Sequence, residues 1–125
     1  MHKDYEIEHV LPGNYLRVQP LAPLTRELIG DYSLAAHTLC RSEGCNGYLF
    51  DLRGIENACN PVDNYDFVYR DMEEMKLLHS IKSAVLVDET DESHSFPELL
   101  LQNAGYNIRF FSDEQAAIEW LTQTH

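Results

Sequence analysis

Basic side chains are scarce in this chain: nine Lys and Arg stand against 21 Asp and Glu, a formal net charge of −12 over 125 residues. A field of that sign repels phosphate backbones and anionic bilayers, so nucleic-acid partners and docking on acidic membranes are disfavoured. Long apolar runs are missing as well. The longest span a few residues, against the ~20 that a membrane helix needs. The opening MHKDYEIEHV carries acids where a signal peptide needs an apolar stretch. Cysteine is sparse, and residues 40, 45 and 59 form no C-x-x-C pair and have no histidines at zinc spacing. An odd set of this kind argues against a disulfide framework, against zinc, and for a reducing compartment. There is no G-x-G-x-x-G, no Walker pattern and no G-x-S-x-G elbow, so nucleotide-dependent and hydrolase chemistries have no anchor. No cofactor is expected: neither zinc, nucleotide nor flavin. Repeats, low-complexity tracts and linker-like Gly/Ser/Pro stretches are absent too. What remains is 44% apolar and 24% charged, the composition of a soluble, cytoplasmic single domain covering residues 1–125.

The order of elements follows from periodicity. Tyr5 and Ile7 alternate with Glu6 and Glu8, and Leu16 and Val18 with Arg17 and Gln19, on either side of Pro12-Gly13-Asn14. That is an antiparallel hairpin. Leu24, Leu28, Tyr32, Ala35, Ala36 and Leu39 then recur at helical spacing between a Thr25 cap and a Gly44 stop. Tyr48-Leu49-Phe50-Asp51-Leu52 and Ala84-Val85-Leu86-Val87-Asp88 read as strands buried on both faces. Between them Asn60-Pro61-Val62-Asp63 opens a helix with a cap, a proline at N1 and an acid for the dipole. Two capping boxes follow, Ser95-Phe96-Pro97-Glu98 and Ser112-Asp113-Glu114-Gln115, flanking the strand Ile108-Arg109-Phe110-Phe111. Trp120 shares the apolar face of the last helix and is expected to pack on the sheet. The order β-β-α-β-α-β-α-β-α predicts an α/β domain: a mixed, mostly parallel sheet opened by a hairpin, with four helices beginning near Thr25, Asn60, Ser95 and Ser112.

Several of these stretches together resemble the STAS domains, the family of sulfate-transporter C-terminal domains and anti-sigma-factor antagonists. GYLFDLRG (Gly47 to Gly54), the capped helix after it and KSAVLVD (Lys82 to Asp88) look like the heart of that fold. GNYLRVQPLAPLT (Gly13 to Thr25) and GYNIRFFSDEQAAIEWL (Gly105 to Leu121) are similar to its stand-alone bacterial branch, which is also likened to the lipid-binding CRAL-TRIO fold. The resemblance implies a non-catalytic regulatory or protein-interaction module of bacterial type, or alternatively a carrier of a small apolar or lipid-like ligand. Its partner is then a protein, a second copy of the chain in a homodimer, or that ligand. In the antagonists a serine at the start of the helix after the Asp-Leu strand is phosphorylated. Here that region is Glu56-Asn57-Ala58-Cys59-Asn60-Pro61, and no Ser or Thr lies from Arg53 through Leu78. The usual switch is therefore missing.

Few residues suggest chemistry. Asp51 and Asp88 end two parallel strands, where open α/β sheets place ligands, and a carboxylate pair there could hold a cation or move a proton. The commoner role is to cap the following turn. Asp88-Glu89-Thr90-Asp91-Glu92 lacks the alternation and the glycine of a calcium loop and reads as a solvated acidic loop. Cys59 beside a helix N-terminus would have a lowered thiol pKa, but no histidine is placed near it. The six histidines read as surface residues. Tyr65, Tyr69 and Met72 share one helical face and are expected to face inward, with Phe67 off that face and exposed. The candidate docking or ligand surface is thus Asp51, Arg53, Cys59, Asn60, Tyr65, Phe67 and Asp88.

Overall fold

The computed structural model describes residues 4–77 and 81–123. Five strands form one sheet: β1 (Tyr5–Val10), β2 (Tyr15–Pro20), β3 (Gly47–Asp51), β4 (Lys82–Leu86) and β5 (Ile108–Phe111). They lie side by side in sequence order, with β1 and β2 antiparallel and the remaining pairs parallel. Asn14 supplies the left-handed residue of the hairpin turn (φ 58°) and donates its N–H to the Val10 carbonyl at 2.8 Å. Asparagine tolerates that conformation better than most residues.

Four helical segments complete the expected order. α1 spans Arg26–Glu43. α2 is continuous over 61–75, with an α-helical start (Pro61–Asp66), a π turn (Phe67–Asp71) and an α-helical end (Met72–Met75). α3 is Ser95–Asn103 and α4 is Glu114–Thr122. Because the strand order is sequential, right-handed crossovers send α1, α2 and α3 to the same face of the sheet. The packing follows this rule. Leu28, Tyr32 and Ala36 of α1 bury against Leu16, Val18, Tyr48 and Val85, and Phe67 and Val68 of α2 join Leu100 of α3. Only α4, with no strand after it, crosses to the other face, where Ala117 and Leu121 seal Tyr15, Leu49, Ala84 and Leu86. Strand alternation assigns each residue its side: Tyr48 and Phe50 face the three helices, Leu49 and Asp51 face α4. β3 and β4 approach closely at Gly47, where a Cβ would lie 2.7 Å from the Lys82 carbonyl oxygen. No side chain fits there.

Helix starts show which local signals prevail. Thr25 Oγ1 accepts from the Leu28 N–H at 3.1 Å, and Asn60 Oδ1 from the Asp63 N–H at 2.8 Å, so both expected caps form. The two capping boxes do not. Asp91 accepts from the Ser93 N–H at 2.9 Å and starts a 3₁₀ turn (Glu92–His94) that runs straight into α3, leaving Ser95 already helical. Asp113, not Ser112, caps α4 by accepting from the Ala116 N–H at 3.3 Å. In both cases a carboxylate, four residues before Ser95 and next to Ser112, is the stronger acceptor.

Three further expectations are corrected. Cys40 and Cys45 are joined by a disulfide, with their Cα atoms 5.0 Å apart. Gly44 (φ 74°) ends α1 and turns the chain back, which brings the two thiols together without any C-x-x-C spacing. The cysteines therefore no longer argue for a reducing compartment. Histidines are not all at the surface: His37 and His94 are buried, the latter donating Nε2–H to the Ile55 carbonyl at 2.8 Å, while His2, His79 and His125 lie outside the described residues. On α2 the expected inward face is borne out at Met72, which packs against the cluster of Phe67, Val68 and Leu100, but not at the aromatic residues. Phe67 is 7% exposed, whereas Tyr65 and Tyr69 are 52% and 37% exposed and stack on each other with ring centroids 4.7 Å apart. The cause is polar: buried Asn64 accepts from Asn57 Nδ2 at 3.2 Å, which turns Asn64, Phe67 and Val68 inward together.

Among the described residues, no helix is long and apolar enough to cross a membrane.

Candidate functional site

A cavity of about 130 Å³ lies between the sheet and the three helices that share its face. Its floor is Tyr48 and Phe50 of β3, Ser83 and Val85 of β4, and Ile108 and Phe110 of β5. Tyr32 and His37 of α1 form one wall, Phe67 and Val68 of α2 another, and Leu101 of α3 a third. The space exists because of how α2 is held. Its π turn is clamped to the start of α1 by Arg26, which donates to both oxygens of Asp71 at 2.7 and 2.8 Å. That hydrogen-bonded pair holds the Asp71 carboxyl below the usual carboxylate range. Asn57, tied to Asn64 and to Ser93, fixes the other end of the same helix. α2 is thus set by polar contacts at its rim rather than by filling the space beneath it.

Aliphatic side chains and aromatic rings make up most of the lining. Phe50 sits between Tyr32 and Tyr48, with ring centroids 5.7 Å from each. Tyr48 is 6% exposed, and its hydroxyl has no hydrogen-bond partner among the described residues. Burial pushes the phenol up to about 12. Burial, with the Arg41 charge adding to it, pushes His37 below the ordinary histidine value, so its imidazole is neutral at about pH 7. Because the Tyr48 hydroxyl is unpaired, Tyr48→Phe, which keeps the ring, is expected to leave stability unchanged or raise it by up to about 1 kcal/mol. Urea denaturation of the two proteins checks this.

The sequence-predicted site residues do not converge here. Only Phe67 lines the cavity, on the side of α2 where it was not expected. Asp51 points the other way, toward α4, into a compact ion cluster. Arg53 donates Nε–H and an Nη2–H to its two oxygens, each at 2.9 Å, Arg17 donates at 2.5 Å, and Arg53 reaches on to Glu114 at 2.6 Å. Burial alone would raise the Asp51 pKa. The hydrogen bonds from the Arg53 side chain and backbone, with the charges of Arg53 and Arg17, outweigh it and hold the carboxyl below its usual range. A carboxylate held this tightly is a poor proton carrier, and its oxygens are already taken. Asp88 accepts from the Gly54 N–H at 2.6 Å, a bond that ties the loop after β4 to the loop after β3 instead of capping its own turn.

Cys59 is half-buried and its thiol is raised rather than lowered, by burial first and then by the Asp63 charge, which outweighs any help from the helix N-terminus. Asn60 is an exposed helix cap, and Tyr65 lies outside the wall that Phe67 forms. No group of three or more metal-ligating side chains occurs among the described residues. The residues that sequence reasoning missed are Tyr48, His37 and Ser83. His37 carried a readable signal, since it falls four residues after Ser33 and one after Ala36 on the inward stripe of α1. Tyr48 did not, because a strand buried on both faces gives no clue to which side is hollow. Comparison of the chain with protein-family models, with curated proteins and with solved structures returns no match.

Proposed function

We propose that this chain is a non-catalytic ligand-binding domain of STAS-like and CRAL-TRIO-like type, holding a small apolar molecule between the sheet and helices α1 to α3. The observation that carries the reading is the cavity itself, about 130 Å³ of space lined by aliphatic and aromatic side chains between the sheet and three helices. Protein interiors normally leave few voids larger than a water. A dry apolar cavity of about 150 Å³ is enough to bind benzene. The volume is below the several hundred Å³ of typical drug-sized pockets, so the ligand is a compact ring or branched chain rather than a whole lipid.

A second reading, a protein-docking module, is supported by a different feature of the same helix. Val62, Tyr65 and Tyr69 recur at i, i+3 and i+7 on the outer face of α2 and are exposed by 67%, 52% and 37%. Aromatic side chains with one polar end favour interfaces. Native mass spectrometry of protein purified from its own host separates the two. The expected result is a mass increment of one small organic molecule that is lost on denaturation. Empty protein that co-purifies with a stoichiometric protein partner would favour the docking module instead.

A further inference from the structure

The cavity lining contains two histidines and several hydroxyl and amide side chains but, among the described residues, no Lys, Arg, Asp or Glu. In a chain with nine basic and 21 acidic residues this is informative. An ion placed in the cavity would lose its water and meet no counter-charge. The polar group that matters is the amide of Asn64, whose orientation follows from the bonds around it. Asn57 Oδ1 accepts from the Cys59 N–H at 3.1 Å. The other end of the Asn57 amide is therefore the donor, to the Ser93 carbonyl at 3.1 Å and to Asn64 at 3.2 Å. The Asn64 atom that meets this donor is its oxygen, so the free end of the Asn64 amide is the NH2 group. That Nδ2 makes no hydrogen bond among the described residues, yet it is not sealed off as the Tyr48 hydroxyl is. Asn64 is 6% exposed and stands one turn before Phe67 and Val68, on the face of α2 that closes the cavity. The open space on that face is the cavity, and the amide donates into it. A buried donor without a partner is unfavourable, and an acceptor on a guest restores the missing hydrogen bond. A guest of the same shape without an acceptor leaves it unmade.

We propose that the cavity selects a neutral, compact, largely apolar ligand bearing one acceptor oxygen, of the small cyclic ketone class, with that oxygen accepting from the Asn64 Nδ2–H. The proposal rests on the ligand-binding reading above and adds to it the charge and the polar group of the ligand. It gives a role to the half of the Asn64 amide that the contact with Asn57 leaves unused.

The test is calorimetric titration of the full chain and of Asn64→Leu with three probes. They are cyclohexanone, methylenecyclohexane, which has the same shape and no oxygen, and cyclohexanecarboxylate. The first two bind the full chain, and the carboxylate does not. In Asn64→Leu the ratio of cyclohexanone to methylenecyclohexane affinity falls about three- to tenfold, the value of one net hydrogen bond. Asn64 also orients α2, so if the variant does not fold, nuclear magnetic resonance of the Asn64 side-chain amide in the unaltered chain decides. Cyclohexanone moves the Asn64 NH2 protons downfield, and methylenecyclohexane does not. If both guests bind but the ratio is the same in the two proteins, or the Asn64 protons respond alike to both, the ligand-binding reading stands and the role of Asn64 is overturned. The carboxylate binding as tightly as cyclohexanone would overturn the selection for a neutral guest. If none of the three binds, this inference falls together with the reading beneath it.

Discussion

Asp51→Ala is expected to destabilise the domain by about 3 kcal/mol or more, as removal of one partner of a buried ion pair does. The Asp51 side chain is 5% exposed and pairs with both Arg17 and Arg53, sharing their neutralisation with Glu114. Without it the Arg17 guanidinium, only 23% exposed, is left with Glu114 at 3.4 Å as its nearest acid. Arg53, 39% exposed, can swing into water, which keeps the loss toward the lower end of the range. In urea the midpoint falls while the slope stays the same, since the surface exposed on unfolding is unchanged. The same carboxyl dictates the acid response. Its folded pKa lies below the unfolded value, as does that of Asp71 paired to Arg26. Their contribution to stability is therefore complete above the unfolded value, about 4 for aspartate, and is lost as pH falls through the folded values. Stability measured from neutral pH downward should hold to about that point and then decline. Asp51→Asn should flatten the decline.

Leu121→Ala is expected to cost about 3–4 kcal/mol, the usual loss for a large aliphatic side chain removed from a core. Trp120→Ala is expected to cost less, about 1–2 kcal/mol, because its ring is only partly removed from water. Leu121 is 4% exposed and closes the α4 face over Leu49, Ala84 and Leu86. Trp120 sits at the rim, its centroid 5.9 Å from that of Phe111 and 5.3 Å from the Lys82 ammonium, which also donates to the Trp120 carbonyl at 3.0 Å. The expectation that Trp120 packs on the sheet is met, although the buried face of the helix is centred on Ala117 and Leu121. Thermal unfolding of both variants ranks them. A larger loss for Trp120→Ala would mean that α4 is held by its rim rather than by its apolar face.

What could be read from the sequence depended on the range of the deciding interaction. Thr25 and Asn60 meet their partners three residues on, so their caps were visible in the chain. Glu114 stood inside an expected capping box, between Ser112 and Gln115, but Arg53 and Arg17 hold it across 61 and 97 residues. No local pattern carries that information. The orientation of α2 was lost for a similar reason. Counting apolar residues favours Tyr65 and Tyr69 as the inner face, yet Asn57 pulls Asn64 inward and both tyrosines are exposed. The pairing of Cys40 with Cys45 hung on a single glycine turn. The candidate site was the least legible part, because a cavity is set by what three helices leave unfilled, and no single segment encodes it.

The two faces of the sheet also differ in how they take compression. Leu49, Ala84, Leu86, Ala117 and Leu121 form one buried cluster beneath α4, whereas the face under α1 to α3 holds a cavity of about 130 Å³. Unfolding eliminates such a void, so the unfolded chain and its water occupy the smaller volume, and hydrostatic pressure favours it. The leverage is one-sided. Pressure is expected to drive water first into the layer of α1, α2 and α3. A guest seated in that cavity would reduce the leverage, so the occupied domain is expected to be less sensitive to pressure than the ligand-free one.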